Sequence, residues 1–210
     1  MIFQTPRIVA LSGLSRSGKD TVADYMCATY GYNKAAFADK LKDNVATIFG
    51  ISRAQLERDK DGLIRDQKLW PGWTYRRFMQ YYGTELMRDN LGAENPVLGK
   101  NIWIYSLLND ELRERFRTNP QYRLIITDVR FKNESQAISD FAKSLGIMDV
   151  SIFIERDSIN SASTHISEKD MTGADTHYIL QNNAGLQELY DNVDRILLDF
   201  KYTDILSGIL

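Results

Sequence analysis

Arg7-Ile-Val-Ala-Leu-Ser12 runs directly into Gly13-Leu-Ser-Arg-Ser-Gly-Lys-Asp-Thr21, and an amphipathic helical stretch continues from Thr21 to about Tyr30. An apolar β run, a turn with Gly-x4-Gly-Lys spacing and a helix, in that order, make a unit that holds phosphates. Backbone N–H groups of such a loop curl around a polyphosphate, the helix start adds a positive dipole end, and the lysine reaches the outer phosphates. The expected ligand is a nucleotide triphosphate, lined by Gly13, Ser15, Arg16, Ser17, Gly18, Lys19, Asp20 and Thr21. Asp20 is unusual, because most such loops place Ser or Thr there, whose hydroxyl ligates Mg²⁺. An aspartate in that place ligates the metal directly, does so through water, or faces the second substrate. Thr21 is a reserve oxygen donor.

The chain has 210 residues, enough to bury about 70% of its unfolded surface as a single domain. With 26 basic against 28 acidic residues, it lacks the cationic excess of proteins that bind polymeric nucleic acid. Small anions remain open as ligands, since a few placed cations suffice for them. The one cysteine, Cys27, excludes an intrachain disulfide and reads as packing. His165 and His177 are the only histidines, and without a Cys/His cluster no zinc site is expected. No apolar run approaches the roughly 18 to 20 residues needed to span a bilayer, and no secretory signal opens the chain. A soluble, cytoplasmic protein without a membrane partner is the expectation.

Strand and helix signals alternate along the chain. An extended piece spans 34–38, helices are expected over 39–49 and 52–59, and the charged stretch 60–73 reads as an exposed loop. Helices follow over 74–91 and 101–116, a strand over Arg123–Arg130, a helix over 131–145, strands over 149–155 and 178–181, and a last helix over 186–200. This order predicts an α/β fold with a parallel sheet flanked by helices and ligands at the carboxyl ends of the strands.

Two further groups of residues carry chemistry. Asp128 and Arg130 stand two apart in the Arg123–Arg130 run, so an extended chain sends both side chains off one face. Asp128 suits holding Mg²⁺ or its water shell, and Arg130 suits gripping a phosphate; a mutual salt bridge is the alternative. In Trp73–Glu85 and just beyond, Tyr75, Phe78, Met79, Tyr82 and Leu86 form an apolar stripe, while Arg77, Gln80 and Thr84 lie on another face. That second face offers a cation, an amide able to read a base edge, and a hydroxyl; a solvated polar face is its alternative. Asp39, opening the second predicted helix, is expected to cap it or to meet substrate. The polar stretch 156–177 reads as a lid that closes over nucleotide and excludes water.

Together these pieces resemble the deoxynucleoside monophosphate kinase family of bacteriophages. The likeness runs through Arg16-Ser-Gly-Lys-Asp-Thr21, Arg76-Arg77-x-Met79-Gln80 with Gly83-Thr84-Glu85, Asp128-x-Arg130, Thr164-His165-x-Ser167-Glu168, and Asn182-Asn183 before Leu186-Gln-Glu-Leu189. It implies a three-layer P-loop NTPase fold over 1–210, with a helical monophosphate-binding region at about 39–118 and the lid at 156–177. It implies transfer of the ATP γ-phosphoryl group to a deoxynucleoside monophosphate, with Mg²⁺ as cofactor and ATP as co-substrate, and a homodimer. It implies catalytic roles for Lys19, Asp128 and Arg130, and metal roles for Asp20, Thr21 and Asp128. Acceptor binding then falls to Asp39, Arg76, Arg77, Gln80, Thr84, Trp103 and Arg130, ATP contact to Asn183, and lid roles to Arg156, His165 and Glu168. The chain departs from the family in a shorter stretch before Trp73, in Thr127 where a proline is familiar, and in Ala184. Another small-molecule kinase acting on a substrate such as phosphomevalonate, and a non-enzymatic ATP sensor, are the competing readings.

Overall fold

The computed structural model describes residues 5–158 and 170–207, with side chains described as far as Asp199. In chain order the elements are β1 (Ile8–Ser12), α1 (Lys19–Tyr30), β2 (Asn33–Ala36), α2 (Ala38–Ile48), α3 (Arg53–Asp59), α4 (Tyr75–Gln80), α5 (Leu91–Glu94) and α6 (Pro96–Leu107). Then come α7 (Asp110–Thr118), β3 (Leu124–Thr127), α8 (Lys132–Leu145), β4 (Asp149–Glu155), β5 (Tyr178–Gln181) and α9 (Leu186–Ser207). A π-helical stretch, Tyr81–Asn90, joins α4 to α5. Two compact units result: Met1–Ala36 with Leu108–Leu210, and Phe37–Leu107.

The first unit is built on a five-stranded sheet in the order β2-β3-β1-β4-β5, with every neighbouring pair parallel. All residues of β1 and β3 are buried, the mark of strands covered on both faces. Val9, Leu11, Ile125, Val150, Ile152 and Ile154 share one core with Val22, Ala23 and Met26 of α1 and Leu189, Val193 and Leu197 of α9. Strand alternation sends Ile8, Ala10, Leu124 and Ile126 to the other face, where α8 packs on β1 and β4 with Ile138, Phe141 and Ala142 buried. α7 belongs to this unit. Its buried Leu112 and Phe116 mark the packed side, and Phe116 meets the Phe141 ring edge-on. The helical region predicted to run to about 118 therefore ends at Leu107.

From β1 the chain crosses to β2 on one side, and from β4 it continues to β5 on the other. Neighbouring strands that lead away in opposite directions leave a crevice beyond their carboxyl ends. Here that crevice lies past Ser12 and Glu155, where the loop quoted first and the stretch starting at Arg156 emerge.

The second unit is helical. Val45, Ala46, Leu56, Ile64, Tyr75, Phe78 and Met79 form its core, and Phe49 meets Trp70, Tyr75 and Phe78 edge-on at 5.6, 5.2 and 4.9 Å. The 60–73 stretch is not simply exposed: Ile64 is buried and its N–H donates to the Trp73 carbonyl at 2.9 Å. The helix expected over 101–116 is broken at Leu108–Asn109, where Asn109 caps α7 by accepting from the Leu112 N–H at 2.9 Å. Leu86, placed on the apolar stripe, is 39% exposed. The i→i+5 bonds of Tyr81–Asn90 unwind the helix, so a stripe counted at α-helical spacing drifts off the core beyond Tyr82.

Candidate active site

Three left-handed residues bend the phosphate loop: Gly13 at φ 131°, Arg16 at φ 66° and Gly18 at φ 110°. Gly13 has a second reason to lack a side chain, because a Cβ there would collide with the Ile154 carbonyl oxygen on β4. The loop is thereby laid against the end of the neighbouring strand. Gly18 is the N-cap of α1 and supplies no side-chain cap, so the first-turn amides are left open to a ligand.

Lys19 opens α1 and is 7% exposed. Its ammonium donates to the carbonyls of Gly13 at 2.9 Å and Leu14 at 2.8 Å, and lies 3.4 Å from Asp128 Oδ1. Ser17 Oγ is buried with no hydrogen-bond partner among the described residues. A buried unpaired hydroxyl is costly, and an anion bound in the loop would satisfy it.

Asp128 corrects the sequence reading. β3 ends at Thr127, and Asp128 sits in the left-handed region at φ 59°. Val129 turns inward instead, 2% exposed, its N–H donating to the Leu11 carbonyl at 2.9 Å. The chain is thus not extended through this point, and the same-face argument for Asp128 and Arg130 does not hold. The two are still brought near one another, Arg130 Nη2 lying 3.8 Å from Asp128 Oδ2. The Arg130 and Phe131 N–H groups both donate to Glu134 Oε2, at 2.8 and 3.1 Å. Glu134, 4% exposed, thereby fixes the start of α8.

Beside the loop is a cavity of about 440 Å³. It is lined by Arg16, Gly18, Lys19, Asp20, Thr21, Arg156, Asn182, Ala184, Gly185, Leu186 and Leu189. The cavity lining thus combines cationic and polar side chains with small and apolar ones. Asn183, the residue singled out from sequence, does not line it. Its Oδ1 accepts from the Asp157 N–H at 2.8 Å. Its neighbour Asn182 faces the loop, donating through Nδ2 to the Ser17 carbonyl at 2.7 Å. The pair Asn182-Asn183 was visible in the sequence; which of the two turns inward depends on where β5 ends.

Asp20, with an 81% exposed side chain, pairs with Lys34 at 2.8 Å, and Lys34 also holds Asp24 at 3.0 Å. Partial burial works against the Lys34 charge, but hydrogen bonds to the two aspartates prevail and raise its pKa. Among the described residues no group of three or more His, Cys, Asp or Glu side chains could hold a metal alone. The donors present at the loop are Asp20, Thr21 and Asp128. Their hard oxygens fit a magnesium ion that keeps waters and takes its remaining ligands from phosphates.

In the second unit, Asp39 lies within the first turn of α2, whose N-cap is Phe37 without a side-chain cap. It is thus not the cap the sequence suggested. Its carboxylate instead meets Arg53 at 2.9 Å. Arg76 pairs with Asp61, its Nη2 at 3.1 Å from Oδ2. The Arg77 guanidinium lies 4.4 Å from the centre of the Trp73 ring, Gln80 is exposed and Thr84 half-buried. Trp103 is 8% exposed, its indole N–H donating to the Gly83 carbonyl at 3.0 Å. Of the lid residues, Arg156 is exposed directly after β4, while His165 and Glu168 lie outside the described residues. No helix among the described residues is long and apolar enough to cross a membrane.

The family model described as deoxynucleotide monophosphate kinase matches residues 7–72 and 51–193. A protein of Acanthamoeba polyphaga mimivirus that carries this kinase name by assignment is 34% identical over 187 residues, covering 89% of this chain and 93% of its own. The deoxynucleotide monophosphate kinase of Enterobacteria phage T4 is 22% identical over 252 residues, covering 91% and 98%. Among solved structures, the Mycobacterium tuberculosis APS kinase in complex with AMPPNP and APS aligns over 93% of this chain and 99% of its own, with 12% identity and a TM-score of 0.44. A gluconokinase from Sinorhizobium meliloti aligns over 95% and 98%, with 12% identity and a TM-score of 0.42.

Proposed function

The chain belongs to the deoxynucleotide monophosphate kinase family, and from that premise we propose which of its residues carry out transfer of the ATP γ-phosphoryl group to a deoxynucleoside monophosphate. The observation that carries the reading is the cavity beside the phosphate loop, with Lys19 and Arg16 on its wall and Asp128 3.4 Å from the Lys19 ammonium.

ATP lies in that cavity with its phosphates against the loop amides and Lys19, and its base toward Ala184, Gly185 and Leu186. The acceptor is a phosphate monoester with a second pKa of about 6, so it is largely dianionic at neutral pH and needs no general base. What it needs is help approaching another anion. Lys19 and Arg130 screen that repulsion and hold attacking and leaving oxygens in line, without a covalent enzyme intermediate. Asp20, Thr21 and Asp128 are the residues that would hold magnesium, which when bound supplies further charge neutralisation on the transferring group. Arg77, Gln80, Thr84, Asp39 and Arg76 are proposed for the acceptor, and Arg156, His165 and Glu168 for closure over the nucleotides. Action on free nucleotides in the cytoplasm of an infected cell, as a homodimer, belongs to the same proposal.

The test is a coupled ADP-release assay with ATP and Mg²⁺ over dAMP, dGMP, dCMP, dTMP, 5-hydroxymethyl-dCMP and their ribose counterparts, with phosphomevalonate as a control. Turnover with at least one deoxynucleotide and none with phosphomevalonate is expected. No turnover anywhere on the deoxynucleotide panel would overturn the assignment.

A further inference from the structure

Any loop that binds anions through its N–H groups must be held from its other side, because whatever occupies the amides displaces the ligand. In this protein the carbonyl side of the loop is held by Asn182. We propose that Asn182 is a positioning residue for phosphate binding, a clamp that fixes the Ser17–Gly18 peptide so that the loop amides stay free and aimed for a polyphosphate. The proposal rests on the phosphate-binding reading of this loop and deepens it.

Three observations converge. First, Asn182 Nδ2 donates to the Ser17 carbonyl at 2.7 Å. The acceptor is a carbonyl, so the nitrogen end of the amide must face it. Ser17 precedes the N-cap of α1, and the helical ladder begins one residue later, with the Val22 N–H on the Gly18 carbonyl at 3.0 Å. The Ser17 carbonyl therefore lies outside that ladder and draws its partner from another element. Second, Gly18 is closed to a side chain by this contact, because a Cβ there would collide with Asn182 Nδ2. Gly18 thus meets two demands at once, its φ of 110° and the close approach of the clamp. Third, the clamp stands on a rigid support. The parallel β4–β5 register ends at Glu155 with Gln181, and the Asn182 N–H continues it on the Glu155 carbonyl at 2.8 Å.

The consequence follows from peptide geometry. The Ser17–Gly18 peptide is planar and trans, so its C=O and N–H point in opposite directions. Pinning the carbonyl toward Asn182 aims the Gly18 N–H the other way, and the absence of a side-chain cap on α1 leaves its first amides open as well. Removing the clamp frees this peptide to rotate, so phosphate binding then bears the entropy of ordering it.

The test separates clamping from base contact. Hydrogen exchange of the unliganded protein is followed over residues 13–19, and binding of inorganic tripolyphosphate, ATP and adenosine is measured by calorimetry, for wild type, Asn182→Ala and the nearly isosteric, uncharged Asn182→Leu. Both variants are expected to exchange faster in the loop, and to weaken tripolyphosphate and ATP by a similar factor of about tenfold, leaving adenosine unchanged. Weakened ATP with intact tripolyphosphate, or unchanged loop exchange, would overturn the clamp. If truncation to Ala unfolds the protein, Asn182→Leu carries the test, since it keeps nearly the same shape, loses the donor and adds no charge to the anion site. Neither readout involves a deoxynucleotide, so a protein inactive on every acceptor would sink the proposed function and leave this inference standing.

Discussion

Lys19 Nζ and Asp128 Oδ1 lie 3.4 Å apart, the amine extending from the first residue of α1 and the carboxylate from the residue after β3. With the Gly13 and Leu14 carbonyls at 2.9 and 2.8 Å, Asp128 completes three partners for an ammonium that has three donors. A phosphate bound there would replace neutral carbonyl acceptors with an anionic oxygen, and charge-assisted bonds are the stronger kind. Lys19 is therefore held ready without being locked away.

Asp128 can be tested for charge and for backbone separately. Asn tolerates the left-handed region about as well as Asp, so Asp128→Asn is expected to melt like wild type while losing about 100-fold in turnover, or about 2.7 kcal/mol. Asp128→Ile adds left-handed strain of about 1–2 kcal/mol, visible as a lower melting temperature. Equal melting of the two variants would remove the backbone argument.

Arg130, 3.8 Å from Asp128, is assigned to the acceptor phosphate. Arg130→Ala is expected to bind ATP as wild type does and to lose about 100-fold in turnover with deoxynucleotide. Calorimetry with ATP and steady-state kinetics check the split. Parallel loss of ATP affinity and turnover would remove this assignment.

Trp103→Phe takes away the donor to the Gly83 carbonyl, which sits in the π-helical stretch. The loss is one buried hydrogen bond, about 1 kcal/mol. The expected result is a lower midpoint in urea with an unchanged Michaelis constant for the acceptor, as befits packing. A large rise in that constant with stability intact would restore Trp103 to the binding site.

Glu57 gives a pH dependence with a definite sign. Partial burial favours its neutral form, but hydrogen bonds and charge from Lys42 at 2.6 Å and Lys60 at 3.3 Å outweigh it and hold the carboxyl at about 2. A folded pKa below the unfolded value of about 4.3 means the contribution is present in full above that value and lost as pH falls toward 2. Glu57→Gln is expected to lower stability at pH 7 by about 1 kcal/mol, the screened value for a half-exposed network. Melting curves of the two proteins should converge between pH 4.5 and 2; a constant gap across that range would contradict the ion-pair account.

How legible this was in the sequence varies by element. The strand–loop–helix at Arg7–Tyr30 is a local pattern, and local patterns survive folding. So do the β3 and β4 runs, whose continuous apolar character reports burial on both faces. The break between α6 and α7 was missed because Asn109 caps by a hydrogen bond that competes with continued helix, and spacing alone does not weigh that competition. Leu86 was misplaced because the π turns change the period on which a stripe is counted. Asp128 escaped because a left-handed residue at a strand end has no signature stronger than being an aspartate.

The sequence by itself determined the strand–loop–helix at Arg7–Tyr30 and the alternation that makes a parallel sheet. Each of these is written in short-range spacing or in residue type. Only the tertiary structure decided that β3 lies between β1 and β2, that Gly13 must yield to the Ile154 carbonyl, and that Asn182 rather than Asn183 meets the loop. Those outcomes depend on strand order and register across more than a hundred residues of chain. Contacts between atoms so distant in sequence are set by packing of the whole sheet, which no window of residues contains.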